Sequence, residues 1–465
     1  MGDNIWLVQE IQYILNMTLT LQAKITAVSI NSHDIQKDHI FIALKGQHYD
    51  GGNFIPHALG KGAAFCIANI SESKNIKDKN NVVFVKDTFI LLKKMAHFRR
   101  QSLKGRVIAV TGSAGKTSIK EFFTRILQLN YGSCFSSIKN YNNIIGVSLS
   151  LCNTHNHYKF YIFELGMNHA GEILVLSQFI RPHVSIITNI QAVHIKNFSS
   201  IIEVAMAKTE IIYAMKKYTV CIYGNEFCYQ TIVVRLTKNE IRSMTFGSKQ
   251  SHCFIKYINV YKVYREVYVT CNAKVFKISL PNNLAIYNIY NVQALILCLQ
   301  ELKLAPLRAS HSFMSFKSLP GRGEVIYLHQ NIIVLNDTYN ASPDALLIAI
   351  KDLLLYKHPS RRTVLIIGDM LELGINKNKI HQNIDIKHID RIFCVGELSK
   401  ELFHQLPKEK KGTWFIGSDA MAEHIIDYIV ERDVILVKGS NTVKMESIIL
   451  RLKNIYQIDN ESIVE

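Results

Sequence analysis

The sequence predicts an α/β protein of three domains, and three observations predict it. The chain is 465 residues long, enough for about three domains of ordinary size. An apolar strand, a glycine-rich loop and a helical pattern follow one another over residues 107–127. Past a turn-rich hinge at 319–323, apolar stretches alternate with helical ones, the signature of a second parallel sheet.

Residues 1–85 mix short helices and strands and form the first domain, with Lys45 and Gly46 ending the run F-I-A-L-K-G. The second domain, 86–317, opens with an amphipathic helix over 88–100 and continues through strands at 158–165, 184–188 and 220–223. Between 243 and 280 alternation replaces helical spacing, so that stretch is β-rich. In the third domain, 318–465, strands are expected at 332–335, 364–367, 391–395 and 434–437.

The chain is 48% hydrophobic and 20% charged, a balance that builds large cores. No apolar run approaches the roughly 18 residues of a membrane span, and the first ten residues lack the basic start of a secretory signal. Nine cysteines stand singly with no C-x-x-C pair, which suits reduced thiols and a cytoplasmic location. The net charge of +17 invites a polyanion as partner, yet the lysines are spread along the chain. The tightest group, Lys408-Glu409-Lys410-Lys411, is short and interrupted, so no nucleic-acid partner is expected. The chain is expected to be a monomer.

The chemistry begins at Thr111-Gly112-Ser113-Ala114-Gly115-Lys116-Thr117-Ser118. Val107, Ile108, Ala109 and Val110 make the strand before it. Ile119, Phe122, Phe123, Ile126 and Leu127 make one face of the helix after it. Backbone N–H groups and a helix N-terminus in this order close around phosphate. Lys116 would reach the terminal phosphates and the Thr117 hydroxyl would bind Mg²⁺, so ATP and Mg²⁺ are expected. The usual first glycine of such loops is replaced by Val110. Glu164 ends an apolar strand, His194 follows the strand at 184–188, and Lys208 lies on a helix reading 204–212. Singly, each has an ordinary structural explanation: a satisfied histidine, a solvated lysine.

Together these motifs resemble the Mur ligase family over essentially the whole chain. The resemblance is carried by T-G-S-A-G-K-T, by Asn140-Tyr-Asn-Asn143-Ile-Ile-Gly146 and by Pro320-Gly-Arg322. Asp337-Thr-Tyr-Asn340-Ala-Ser-Pro343, Gly368-Asp369-Met-Leu-Glu-Leu-Gly374 and Val437-Lys438-Gly-Ser440 extend it. It implies a small uridine-binding α/β domain, a central P-loop ATPase domain and a C-terminal Rossmann-like domain. Thr117, Glu164, His194 and Lys208 would then hold Mg²⁺, Lys208 as a carbamate formed with CO₂. Asn291, Arg322 and Asp337 would surround the nucleotide. Ser32, Lys45, Gly46, Asn140, Asn143, Asn340, Asp369 and Lys438 would meet the other substrates. Within the family, the segments at 339–343 and 368–374 point to the activity that joins D-alanyl-D-alanine to UDP-N-acetylmuramoyl-tripeptide. The chain departs from the family pattern at Asn31 and His33 near the uridine site, at Ala285 and Tyr287 near adenine, and at Asn336 and Asn441. Two alternatives remain open: a folylpolyglutamate-synthetase type of ligase, and a P-loop ATPase with a non-ligase role.

Overall fold

The computed structural model describes residues 4–457 apart from 20–22, 47, 48, 75, 78, 80, 139, 192–196, 226–228, 262 and 372–385. It holds three sheets in chain order. The first is parallel, with β1 (Ala27–Ser29), β2 (His39–Ile42), β3 (Phe65–Asn69) and β4 (Val82–Val85) side by side.

The second sheet has nine strands: β5 (Arg106–Thr111), β6 (Cys134–Ser136), β7 (Phe160–Glu164), β8 (Val184–Ile187), β9 (Val220–Gly224), β10 (Arg242–Gly247), β11 (Cys253–Val260), β12 (Tyr264–Cys271) and β13 (Lys274–Pro281). Their order is β13-β12-β11-β10-β9-β8-β5-β7-β6, parallel from β6 to β11 and antiparallel beyond. Central strands are apolar on both faces because helices cover both. Val107 and Ala109 of β5 join one core, Ile108 and Val110 the other. β5 lies between β7 and β8, so the chain reverses direction across the sheet there. The crevice outside the carboxyl ends of such strands is where open α/β sheets bind ligands.

The third sheet runs β14 (Glu324–Leu328), β15 (Ile332–Asp337), β19 (Val434–Lys438), β16 (Thr363–Gly368), β17 (Arg391–Val395) and β18 (Lys411–Phe415), with only β14 antiparallel. Its two faces have cores of their own. Gly321 and Gly323, at φ +71° and +70°, lie in the link that enters it. Those angles are ones that side-chain-bearing residues adopt only with strain.

The first and second sheets are bound more closely. One apolar cluster runs from Ile40, Ile42 and Phe65 through Leu92 and Met95 to Val107 and Phe163. The helix Thr88–Ser102, capped by Asp87 on the Ile90 N–H at 2.8 Å, lies between the two sheets. Asn153, past the second sheet's helix Ile144–Cys152, extends its amide to β1, accepting from the Val28 N–H and donating to the Val28 carbonyl, both at 2.8 Å. The Trp6 indole donates to the Cys152 carbonyl at 2.8 Å. Among the described residues no helix is long and apolar enough to cross a membrane, and the eight described cysteines are buried free thiols.

Candidate active site

The loop after β5 takes the shape its sequence dictates. Gly112 has φ +143° and Gly115 has φ +78°. A Cβ at Gly112 would stand 1.9 Å from the Thr188 hydroxyl oxygen, so glycine is required there by space as well as by angle. Gly115 serves as N-cap of the helix Lys116–Asn130, whose first N–H groups face the loop. The segment after β8 braces the loop from the side. Ser113 N–H donates to the Asn189 carbonyl at 3.0 Å, Ala114 N–H to Asn189 Oδ1 at 2.8 Å, and the Thr188 hydroxyl to the Ala114 carbonyl at 2.5 Å.

Glu164 comes from the end of the neighbouring strand β7 and is 2% exposed. One carboxylate oxygen accepts from the Thr117 hydroxyl at 2.8 Å, the other from the Asn142 amide at 2.9 Å. Lys116 folds over the loop and donates to the carbonyls of Gly112 at 2.8 Å and Ser113 at 3.2 Å. Lys208 closes the helix Ile201–Lys208 and donates to that same Gly112 carbonyl at 3.1 Å. Burial pushes its ammonium well below the usual lysine range, and Lys116 beside it pushes the same way. Lys208 is therefore a buried amine whose charged form is disfavoured next to a phosphate loop, and its surface-lysine explanation fails.

Asn291, on the helix Ile286–Glu301, packs against the loop: a Cβ on Gly115 would lie 3.2 Å from its Nδ2. That Nδ2, the Thr111 hydroxyl and Gln191 Oε1 are buried polar atoms without a hydrogen-bond partner among the described residues. Orphaned donors and acceptors around one loop are what a polar ligand would satisfy.

The remaining candidates fall into two groups. Ser32, Lys45 and Gly46 follow the carboxyl ends of β1 and β2, adjacent strands of the first sheet. On the third sheet Asp337 and Lys438 end β15 and β19 in register, and the Lys438 ammonium reaches Asp337 at 2.5 Å and the Asn340 carbonyl at 2.9 Å. Asn140 donates across to the Tyr339 hydroxyl at 3.1 Å, and Arg322 lies 3.6 Å over the Tyr339 ring. Asn143 and Asp369 are engaged with backbone. Asn143 caps the helix Ile144–Cys152 through the Gly146 N–H at 2.9 Å, and Asp369 accepts from the Ser399 N–H at 2.8 Å. His194, and residues 372–374 of the G-D-M-L-E-L-G segment, lie outside the described residues.

Asn142, Thr188, Asn189 and Gln191 were not singled out from sequence. Asn142 lies within the segment Asn140–Gly146, which marks it in the sequence. The other three follow β8 and act by bracing, a role that composition alone does not reveal.

Comparison with known proteins agrees over most of the chain. Residues 24–105 match the description "Mur ligase family, catalytic domain", residues 110–299 "Mur ligase middle domain" and residues 321–441 "Mur ligase, glutamate ligase domain". A UDP-N-acetylmuramoyl-tripeptide–D-alanyl-D-alanine ligase of Rickettsia prowazekii is 32% identical over 455 residues, covering 96% of this chain and 99% of that protein. Crystal structures of MurF from Acinetobacter baumannii (TM-score 0.84, 24% identity, 97% of this chain and 99% of that one) and from Thermotoga maritima in complex with ADP (0.80, 23%, 92% and 97%) share the fold.

Proposed function

The chain belongs to the Mur ligase family, and on that footing we propose that it joins D-alanyl-D-alanine to UDP-N-acetylmuramoyl-tripeptide at the expense of ATP. The observation that carries the reaction class is the meeting of Thr117, Glu164 and the buried Lys208 at one phosphate loop. The substrates follow from full-length relatives that bear that name.

A carboxylate is a poor electrophile, so the terminal carboxylate of the tripeptide is first phosphorylated by ATP to an acyl phosphate. The loop N–H groups and Lys116 stabilise charge on the transferring phosphoryl group. The amine of D-alanyl-D-alanine then attacks the acyl carbon, and phosphate leaves. Asn291 orients the nucleotide from the loop side, with Arg322 and Asp337 on the C-terminal side. Ser32, Lys45 and Gly46 take the uridine end. Asn140, Asn143, Asn340, Asp369 and Lys438 lie toward the peptide substrates.

The donor set fits Mg²⁺, which prefers hard oxygen ligands: the Thr117 hydroxyl and the Glu164 carboxylate already lie 2.8 Å apart. When bound, the ion would neutralise phosphate charge. In its neutral form, which burial favours, Lys208 would add to CO₂, forming an N–C bond and releasing a proton, and its carbamate would supply a further oxygen ligand. The carbamate nitrogen keeps one hydrogen, so the bond to the Gly112 carbonyl can persist. His194 completes the proposed set.

The test is phosphate release by the purified enzyme. It should require both UDP-N-acetylmuramoyl-tripeptide and D-alanyl-D-alanine, and Lys116→Ala should abolish it without unfolding the protein. Equal release without the dipeptide would refute the ligase reading.

A further inference from the structure

The helix that carries Asn291 begins without a cap of its own. Its N-cap residue, Ala285, offers no side-chain acceptor. The first helical N–H, on Ile286, donates instead to Asp352, at 2.9 Å to Oδ1 and 3.1 Å to Oδ2. Asp352 lies 66 residues further along, on the helix Pro343–Leu354 of the third sheet, and is 4% exposed. A carboxylate at a helix N-terminus satisfies an orphan donor and complements the helix dipole. Here one domain supplies that acceptor to another.

We propose that Asp352 is a positioning residue for nucleotide binding: a cap in trans that couples the placement of the C-terminal domain to Asn291 at the phosphate loop. Asn291 lies five residues into the helix, about 7.5 Å from the bond at a rise of about 1.5 Å per residue. A shift at the helix start is therefore carried rigidly to the Gly115 contact. The segment before the helix is held from the central domain's own side, where Arg265 donates to the carbonyls of Asn282 and Leu284, each at 3.1 Å. The helix start is thus anchored from both domains, the C-terminal one adding the Leu284–Glu324 bridge and the Tyr356 hydroxyl on the Asn282 carbonyl at 3.5 Å.

The groups facing Asp352 make this cap sensitive to protons. Burial pushes its carboxyl up, the Ile286 N–H pulls it back, Asp337 of β15 adds to the rise and Arg265 of β12 opposes it, leaving it at about 7. Tyr287 and Tyr356 also face it, and burial raises both phenols above their usual range, so they stay neutral near pH 7. Below that pH the cap loses its charge.

The inference rests on the ligase reading only in taking a nucleotide as the ligand. Its test therefore measures ADP affinity by calorimetry in the full-length protein, apart from turnover. Asp352→Asn, nearly isosteric and uncharged, should weaken ADP binding about 3- to 10-fold at pH 8. The difference from wild type should shrink at pH 6, where the wild-type carboxyl is protonated too. ADP's own titration is common to both proteins and cancels in the comparison. Ile286→Pro removes the donor from the other side of the bond. Proline is tolerated at the first helical position, and Ala285 already has the extended ψ of 151° that precedes one. It should reproduce the loss at pH 8. Wild-type affinity in both variants would overturn the inference, as would a difference for Asp352→Asn that is the same at pH 6 and pH 8. Should dipeptide-dependent phosphate release be missing in the wild type while these ADP results hold, the ligase reading falls and the cap stands.

Discussion

Lys208 is the residue whose sequence reading and physical setting differ most. By composition it is one lysine among many, and only its family resemblance set it apart. In the structure it is buried, beside another cation, and donates to the Gly112 carbonyl. Lys208→Ala should lower turnover by on the order of 10²–10³, the size of losing one preorganised electrostatic group. A short-chain carboxylic acid in the assay should restore part of that activity by filling the anionic position. Full activity in the variant would end the carbamate assignment. Thr117 was legible from the glycine loop that precedes its helix, and Glu164 from its place at the end of a strand. Asn142 and Asn189 were less so, since an asparagine that braces a loop looks like any turn asparagine. Asn31, one of the departures, has a local reason: it accepts from the His33 N–H at 3.0 Å and donates to Asp34 at 3.2 Å, where an aspartate would face a second carboxylate. His183 offers a pH prediction. It accepts from the Val107 N–H at 2.9 Å, and burial with Arg100, Arg106 and Lys216 nearby lowers its pKa to about 4. The unfolded chain takes up that proton near 6.5, so the unfolded state binds more protons between the two values. Stability should fall as pH drops from about 6.5 towards 4, and His183→Gln should flatten that limb of a Tm-against-pH curve. An identical slope in the variant would remove His183 as the cause.

Among the elements, the long apolar interior strands of the second and third sheets are the most readable. The strands expected at 184–188, 332–335, 364–367, 391–395 and 434–437 coincide with β8, β15, β16, β17 and β19 to within two residues at either end, because each is buried on both faces. In the second and third sheets the strands without an expected range, β6, β14 and β18, are edges; in the first sheet none of β1 to β4 had a range, though β2 and β3 are interior. β18 begins Lys411-Gly412-Thr413 and is only partly covered, so it lacks an apolar run. The helix expected over 204–212 ends as α-helix at Lys208 and tightens to a 3₁₀ turn over Thr209–Ala214. Asn143 tests whether a motif residue serves its element or a ligand. Asn143→Ala should cost about 1 kcal/mol through loss of the helix cap, read from denaturant midpoints. Asn143→Ser keeps a capping oxygen and should recover the stability. If its KM for the UDP-substrate recovers too, the substrate assignment is lost; a KM that stays high retains it.

At the scale of the whole molecule, the apolar cluster that spans the first two sheets sets how the protein comes apart. Those sheets share one interior, whereas the third encloses its own. Cooperative units follow contiguous cores. Scanning calorimetry should therefore resolve two transitions, with the first and second sheets melting together and the third apart. Three transitions, or a first sheet that melts alone, would contradict that division. The three sheets themselves followed from length and from the two parallel-sheet patterns. Their unequal attachment did not, because it depends on which faces meet after folding.

The glycine-bearing link into the third sheet gives this inequality a mechanical meaning. With the first two sheets fused through a common interior, the described residues put the articulation at Gly321 and Gly323. Any opening that admits a bulky substrate and expels product must turn there. If the first domain takes the uridine end, as proposed, that end meets a rigid wall, and the travel belongs to the C-terminal arm.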